Sequence, residues 1–144
     1  MVAIQVERMI GASPERVFSW LADPANLVAA PLILRARWAS DSQEPGVGAI
    51  REAAAVGIWL REEITAYDPP RSYSYRIIRS IPVLNHEGGS LRFTPADGGT
   101  RVSWDTTYTH PLMSGGKVLE AVTSRVFPWN FRAVLDSCAR ELED

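Results

Sequence analysis

The sequence predicts an α+β fold in which a run of antiparallel strands is covered by one long C-terminal helix. Three observations lead there. Apolar and polar residues alternate over residues 2–9 and again, repeatedly, between Leu32 and Tyr108, which is the period of half-buried strands. Ser13-Pro14-Glu15 interrupts that pattern early with a helix start: a capping serine, a proline in the first turn and an acid near the positive end. After Gly115-Gly116, the residues Phe127, Phe131, Val134, Leu135, Cys138 and Leu142 recur at spacings of three and four, a stripe long enough to cover a sheet.

Taken in order, Val2, Ile4 and Val6 form the inner face of a first strand, with Gln5 and Glu7 on the other side. Val17, Phe18 and Leu21 are the apolar face of the helix that follows, which Asp23-Pro24 ends. Residues 24–30 are expected to form a second short helix, closed by Pro31. Leu34, Ala36 and Trp38 alternate with Arg35 and Arg37, and SDSQEPG is a polar loop. Beyond Asp68-Pro69-Pro70, Tyr73, Tyr75 and Ile77 share one face of a strand. NHEGG reads as a loop, Leu91 and Phe93 as a further short strand, and the Asp97-Gly98-Gly99 turn leads into Val102, Trp104, Thr106 and Tyr108. Pro128 removes a helical hydrogen bond, so a kink or break is expected near residues 124–128.

The stretch IREAAAVGIWLREEI, residues 50–64, permits two readings by periodicity alone. Ile50, Ala53, Ala54, Gly57, Ile58 and Ile64 fall at helical spacings, whereas a turn at Val56-Gly57 pairs the two halves as antiparallel strands.

Size and composition exclude several classes. A length of 144 residues fits one domain over residues 1–144, with no repeat or linker. A net charge of -2 without a basic block leaves no electrostatic footprint for nucleic acid. No stretch approaches a membrane span, no secretory signal opens the chain, and the single Cys138 suits a reducing compartment; a cytoplasmic protein is expected. With two distant histidines and one cysteine there is no metal-ligand spacing. Gly46-Val47-Gly48 precedes a strand and is no dinucleotide fingerprint, so no metal and no cofactor are expected.

The segments SPERVFSWLADP, PGVGAIRE, EEITAYDPPRSYSYRI and FTPADGGTRVSW, followed by the long last helix, resemble in order the START-like (Bet v 1-like, SRPBCC) superfamily, and within it the bacterial polyketide cyclase/dehydrase-like branch. The resemblance implies a helix-grip fold: a curved antiparallel sheet of about seven strands wrapped around the C-terminal helix, with a short helix pair after the first strand. It also implies a mostly apolar cavity that binds hydrophobic or aromatic small molecules and, in some relatives, steers cyclisation of a polyketide chain. Two features depart from the pattern: Ala29-Ala30 replaces a bulky aromatic before Pro31, and Pro128-Trp129 sits inside the terminal helix.

This pattern favours the hairpin. One face then collects Ala49, Arg51, Ala53, Ala55, Ile58, Leu60, Glu62, Ile64 and Ala66, apolar except for the opposed Arg51 and Glu62. Glu52, Arg61 and Glu63 go to the outside. Directly opposite residues are within side-chain reach, so an Arg-Glu bridge is expected. Arg51 is a candidate to orient a carbonyl or carboxylate, with Glu62 holding the guanidinium or acting as a base; the competing reading is a structural bridge at a cavity rim. Leu60, Tyr73, Tyr75, Phe93, Trp104, Thr106 and Tyr108 are the other candidate ligand-binding residues, since aromatic rings with one polar tip suit flat molecules. Trp129 and Phe131, beside Pro128, are candidate gates where a kink would loosen the helix; the competing reading is core packing of an irregular helix. His86 and His110 are possible acids or bases, though a histidine at a strand end is more often a surface residue.

Three functions are compatible with this wall. The first is binding of a hydrophobic or aromatic small molecule, lipid- or polyketide-like. The second is an aromatase/cyclase-like enzyme using Arg51, Glu62 or a tyrosine in proton transfer. The third is a ligand-responsive regulatory or interaction protein, acting through the loops near Asn85-His86 or the terminal helix. The oligomeric state, monomer or homodimer, stays open.

Overall fold

The computed structural model describes residues 1–143. Seven strands form a single antiparallel, curled sheet: β1 Val2–Ile10, β2 Ile33–Trp38, β3 Ile50–Ala55, β4 Ile58–Asp68, β5 Ser72–Ile81, β6 Asn85–Ala96 and β7 Gly99–Thr109. Their order is β1-β7-β6-β5-β4-β3-β2, so β1 and β2 are the edges, although they are consecutive in the chain. Helix α1, Pro14–Ala22, and a 3-10 helix, Pro24–Ala29, span that gap in the sequence. The long helix α2, Gly116–Leu142, packs against the inner face of the sheet. No helix among the described residues is long and apolar enough to cross a membrane.

The local chemistry explains most boundaries. Ser13 accepts the Arg16 N–H at 3.3 Å as the cap of α1. Asp23 accepts the Ala25 N–H at 3.0 Å, capping the expected second short helix, which is a 3-10 helix over Pro24–Ala29. Gly57 has φ +83°, a conformation a side chain disfavours, and it turns β3 into β4 with Ala55 opposite Ile58, Ala53 opposite Leu60 and Arg51 opposite Glu62. The hairpin reading of residues 50–64 is therefore the one the chain adopts.

Irregularities in the ladders account for the expectations that the structure revises. A bulge between Ile33 and Arg35 leaves Leu34 66% exposed, so Ile33 takes the inner position beside Ala36. A second, between Ile64 and Ala66, turns Ala66 outward and brings Tyr67 in against Phe18. NHEGG is not a loop: it is the first part of the twelve-residue β6, and a register shift between His86 and Gly88 explains why its alternation is lost in the sequence. Helix α2 runs through Pro128 without a break.

The core lies between the sheet and the two helices. Phe18 meets Phe93, Tyr67 and Tyr73 edge-on, with ring centroids 5.2, 5.5 and 5.8 Å away. Leu21, Leu91, Val102, Leu135 and Cys138 close around them with no solvent exposure. Burial pushes the Cys138 thiol up to about 12, which makes it an inert packing group.

Candidate functional site

The pleat of β3 and β4 sends Arg51 and Glu62 to the inner face, as their opposition across the hairpin requires. Arg51 is 4% and Glu62 8% exposed, and Arg51 Nε donates to Glu62 Oε1 at 2.6 Å. The guanidinium carbon lies 5.0 Å from the Tyr75 ring centroid and 5.6 Å from that of Tyr73, within cation–π reach of both. Burial by itself disfavours the Arg51 charge; the Glu62 carboxylate, followed by Tyr73 and Tyr75, more than offsets this, and the net shift is upward. Arg51 stays cationic. Its Nη1 is buried with no hydrogen-bond partner among the described residues. On the outer face, Arg61 pairs with Asp41 at 2.8 Å and Glu52 at 3.0 Å, so the two Arg-Glu sets of this hairpin serve different environments.

Arg51 and Glu62 belong to the wall of a cavity of about 130 Å³ between the sheet and the middle of α2. Of the residues singled out from the sequence, Arg51, Leu60, Glu62, Tyr75, Trp104, Thr106 and Tyr108 line it. Tyr73, Phe93 and Trp129 do not. Tyr73 and Phe93 face inward but are consumed by packing against Phe18, and the Tyr73 hydroxyl donates to the Leu21 carbonyl at 3.0 Å. Trp129 is 52% exposed on the outer side of α2; its neighbour Phe131 is the ring that reaches the cavity, stacked on Trp104 at 4.1 Å.

The aromatic wall is held by hydrogen bonds. Trp104 Nε1 donates to the Tyr75 hydroxyl oxygen at 2.9 Å. The Tyr75 ring crosses Gly89, its partner on β6, where an added Cβ would meet the tyrosine hydroxyl at 2.6 Å; only glycine leaves room for that ring. Burial, then the Glu62 charge, holds the Tyr75 hydroxyl above the ordinary phenol range, so it remains protonated.

His86 also lines the cavity, although the sequence pattern placed it in a loop. The β5–β6 ladder ends at Tyr75 and Gly89, and the His86 side chain fills the opening beyond. Its Nδ1 accepts the Ile77 N–H at 2.9 Å, which fixes the proton on Nε2, and that group donates to Thr106 Oγ1 at 2.5 Å. Thr106 in turn donates to the Gly88 carbonyl at 3.3 Å. Burial, with a smaller effect of the Arg76 charge, pushes the His86 imidazole down to about 4. It is neutral at pH 7 and fully bonded, so it does not titrate near neutrality. His110 is buried rather than on the surface: its Nε2 lies 2.9 Å from Thr123 Oγ1, which also accepts from the Tyr108 hydroxyl at 2.8 Å. This cluster pins the end of β7 to α2 beside the cavity.

From α2, Phe127, Asn130, Phe131 and Val134 close the cavity. They repeat at three and four along the helix, so the signal for Asn130 was present as a lone polar residue on the apolar stripe. Among the described residues, no group of three or more His, Cys, Asp or Glu stands close enough together to hold a metal ion.

The architecture is that of the helix-grip fold: a curled sheet, a long covering helix and, between them, an apolar cavity with one buried charge pair. Residues 1–143 match the profile of the family described as polyketide cyclase / dehydrase and lipid transport, and the chain belongs to that family, within the START-like (Bet v 1-like) superfamily. Solved structures of the same fold include TTHA0849 from Thermus thermophilus, with 21% identity, a TM-score of 0.77, and 97% of this chain and 96% of that one covered. The di-domain ARO/CYC StfQ from the steffimycin biosynthetic pathway is 18% identical with a TM-score of 0.78; 99% of this chain aligns to 51% of StfQ, about half its length. Ara h 8.0201 is 18% identical with a TM-score of 0.65, over 94% of this chain and 96% of that one. No curated protein matches by sequence.

Proposed function

We propose that the protein binds a small hydrophobic or aromatic molecule, lipid- or polyketide-like in chemistry, between the sheet and α2, with one oxygen of the ligand held by Arg51. The observation that carries this reading is the buried guanidinium: one edge is committed to Glu62, while Nη1 is buried with no hydrogen-bond partner among the described residues. A buried N–H left without an acceptor costs about 1–3 kcal/mol, and a ligand oxygen reaching it would recover part of that cost. The rest of the wall is almost wholly apolar and aromatic. Apolar cavities of about 150 Å³ take up benzene. A volume of about 130 Å³ therefore encloses roughly one ring, and a longer chain would extend through the mouth or require the helix to yield.

The test compares retained and added ligands. Native mass spectrometry of the purified protein should show a bound small molecule, or the melting temperature should rise with acetophenone and related aromatic ketones. The absence of both effects would overturn the reading. Arg51→Met alone strands a buried carboxylate, which costs about 3–5 kcal/mol. The double variant Arg51→Met/Glu62→Leu removes both charges, keeps the fold, and should bind acetophenone at least tenfold more weakly.

A second reading, an aromatase/cyclase-like enzyme, is supported by the adjacency of a carboxylate and a guanidinium on one cavity wall and by the likeness to StfQ. Enolisation beside a ketone needs a base and an oxyanion stabiliser, the roles available to Glu62 and Arg51. It predicts that Glu62→Gln abolishes turnover of a poly-ketone chain while binding persists; undiminished turnover would exclude Glu62 as the base.

A further inference from the structure

Asn130 stands on the helix side of the cavity that Arg51 lines from the sheet. It is 5% exposed, and its Oδ1 accepts the Leu32 N–H at 3.1 Å. That bond determines which way the amide faces, because a backbone N–H needs the oxygen. It is the only hydrogen bond the side chain makes among the described residues, so both Nδ2 protons are without an acceptor there. The other polar side chains there are engaged within the protein: His86 with Ile77 and Thr106, Thr106 with Gly88, Tyr108 with Thr123, and the Tyr75 oxygen with Trp104. The Tyr75 hydroxyl accepts from Trp104 and keeps its own proton, so among the described residues donors without an acceptor remain on both walls: the Arg51 guanidinium and the Tyr75 O–H on the sheet side, the Asn130 amide on the helix side.

The charge balance narrows what they accept. Arg51 and Glu62 already cancel, so a bound carboxylate would add an uncompensated charge to a buried apolar site, at several kcal/mol. A neutral carbonyl oxygen takes a hydrogen bond from a guanidinium or an amide without that cost. Resting on the cavity reading above, we propose that Asn130 is a second polar anchor, and that the enclosed part of the ligand is a neutral ring bearing two carbonyl-type acceptors on opposite edges, one at Arg51 and one at Asn130. Such a molecule is quinone- or cyclic-diketone-like.

Two ring-matched probes test this, cyclohexanone with one acceptor and 1,4-cyclohexanedione with two, each titrated by ligand-observed NMR. In the unaltered protein the dione should bind about fivefold more tightly than the monoketone, the worth of one net hydrogen bond. Asn130→Ala loses the donors without adding a buried charge; with its fold checked by circular dichroism, it should erase that ratio while cyclohexanone affinity stays within twofold. Asn130→Leu, checked for folding by its thermal melt, should erase the ratio as well. A dione preference that survives both substitutions, or is absent from the start while cyclohexanone binds, overturns the anchor and leaves the cavity reading standing. Failure of both ketones to bind overturns the cavity reading together with the anchor.

Discussion

The inner face of the sheet has two halves that the same strands build to opposite ends. Near α1, Tyr73 of β5, Phe93 of β6 and Val102 of β7 meet Phe18, Leu21 and Leu135, and the space is filled. Further along the same face, Tyr75, His86, Trp104 and Thr106 meet the middle of α2, and a cavity remains. The strand alternation is the same in both halves. What differs is the cover and the opposite wall: α1 sends a phenyl ring into the first half, whereas the second is walled by Ala53 and Ala55 and by a β5–β6 ladder that has parted. Facing inward is thus a property of the strand, and lining a cavity is a property of what fails to fill the space.

Truncating one ring in each half should separate the two most strongly. Phe18→Ala removes a 4% exposed ring that three aromatic rings surround, and should cost about 3–5 kcal/mol in chemical denaturation. Phe131→Ala removes a ring that already has free volume beside it, so the loss should be about 2 kcal/mol, mainly its contact with Trp104. The second variant should also admit larger ligands. Equal costs would mean that the cavity half is packed as tightly as the other.

A second effect, graded with pH, comes from acid. His86 titrates at about 4 in the folded protein against an ordinary 6.5, so the unfolded chain takes up its proton first. Above about pH 6.5 both states are neutral and stability is unaffected; as pH falls from about 6.5 to about 4, stability should decline, and below that this contribution levels off. His110, shifted downward by burial, acts in the same direction. Urea midpoints measured across this range should fall less steeply for His86→Gln than for the unaltered protein. Identical slopes would show that the imidazole is not held neutral across the gap between β5 and β6.

The halves also differ in how legible they were. The turn at Val56-Gly57 fixed the register of β3 and β4, and with it the inward placement and contact of Arg51 and Glu62, because a two-residue period leaves no choice once the turn is known. Tyr73 and Phe93 obey the same alternation as Tyr75 and Trp104, yet nothing local reveals that Phe18, more than fifty residues earlier than Tyr73, occupies the space in front of them. His86 was hidden by the shift that follows it, which resets the period just where Gly88-Gly89 suggests a loop. Asn130 was readable in principle, three residues after Phe127 and four before Val134 on the stripe that α2 turns inward.

Trp129 offers the finest test, because helical geometry and the proline beside it point different ways. Two residues past Phe127 is about 200° around a helix, so an unbroken helix puts Trp129 opposite the ring that lines the cavity. A break at Pro128 would have freed it to swing inward as a gate; α2 is unbroken, and the indole is 52% exposed. Trp129→Ala should therefore change stability by no more than about 0.5 kcal/mol, as surface substitutions do. A ligand-induced change in tryptophan fluorescence should persist in that variant and vanish in Trp104→Phe, since Trp104 is in the cavity wall. Loss of the signal on removing Trp129 instead would mean that α2 opens at Pro128 when a ligand enters, and the two faces of the helix would then share the site.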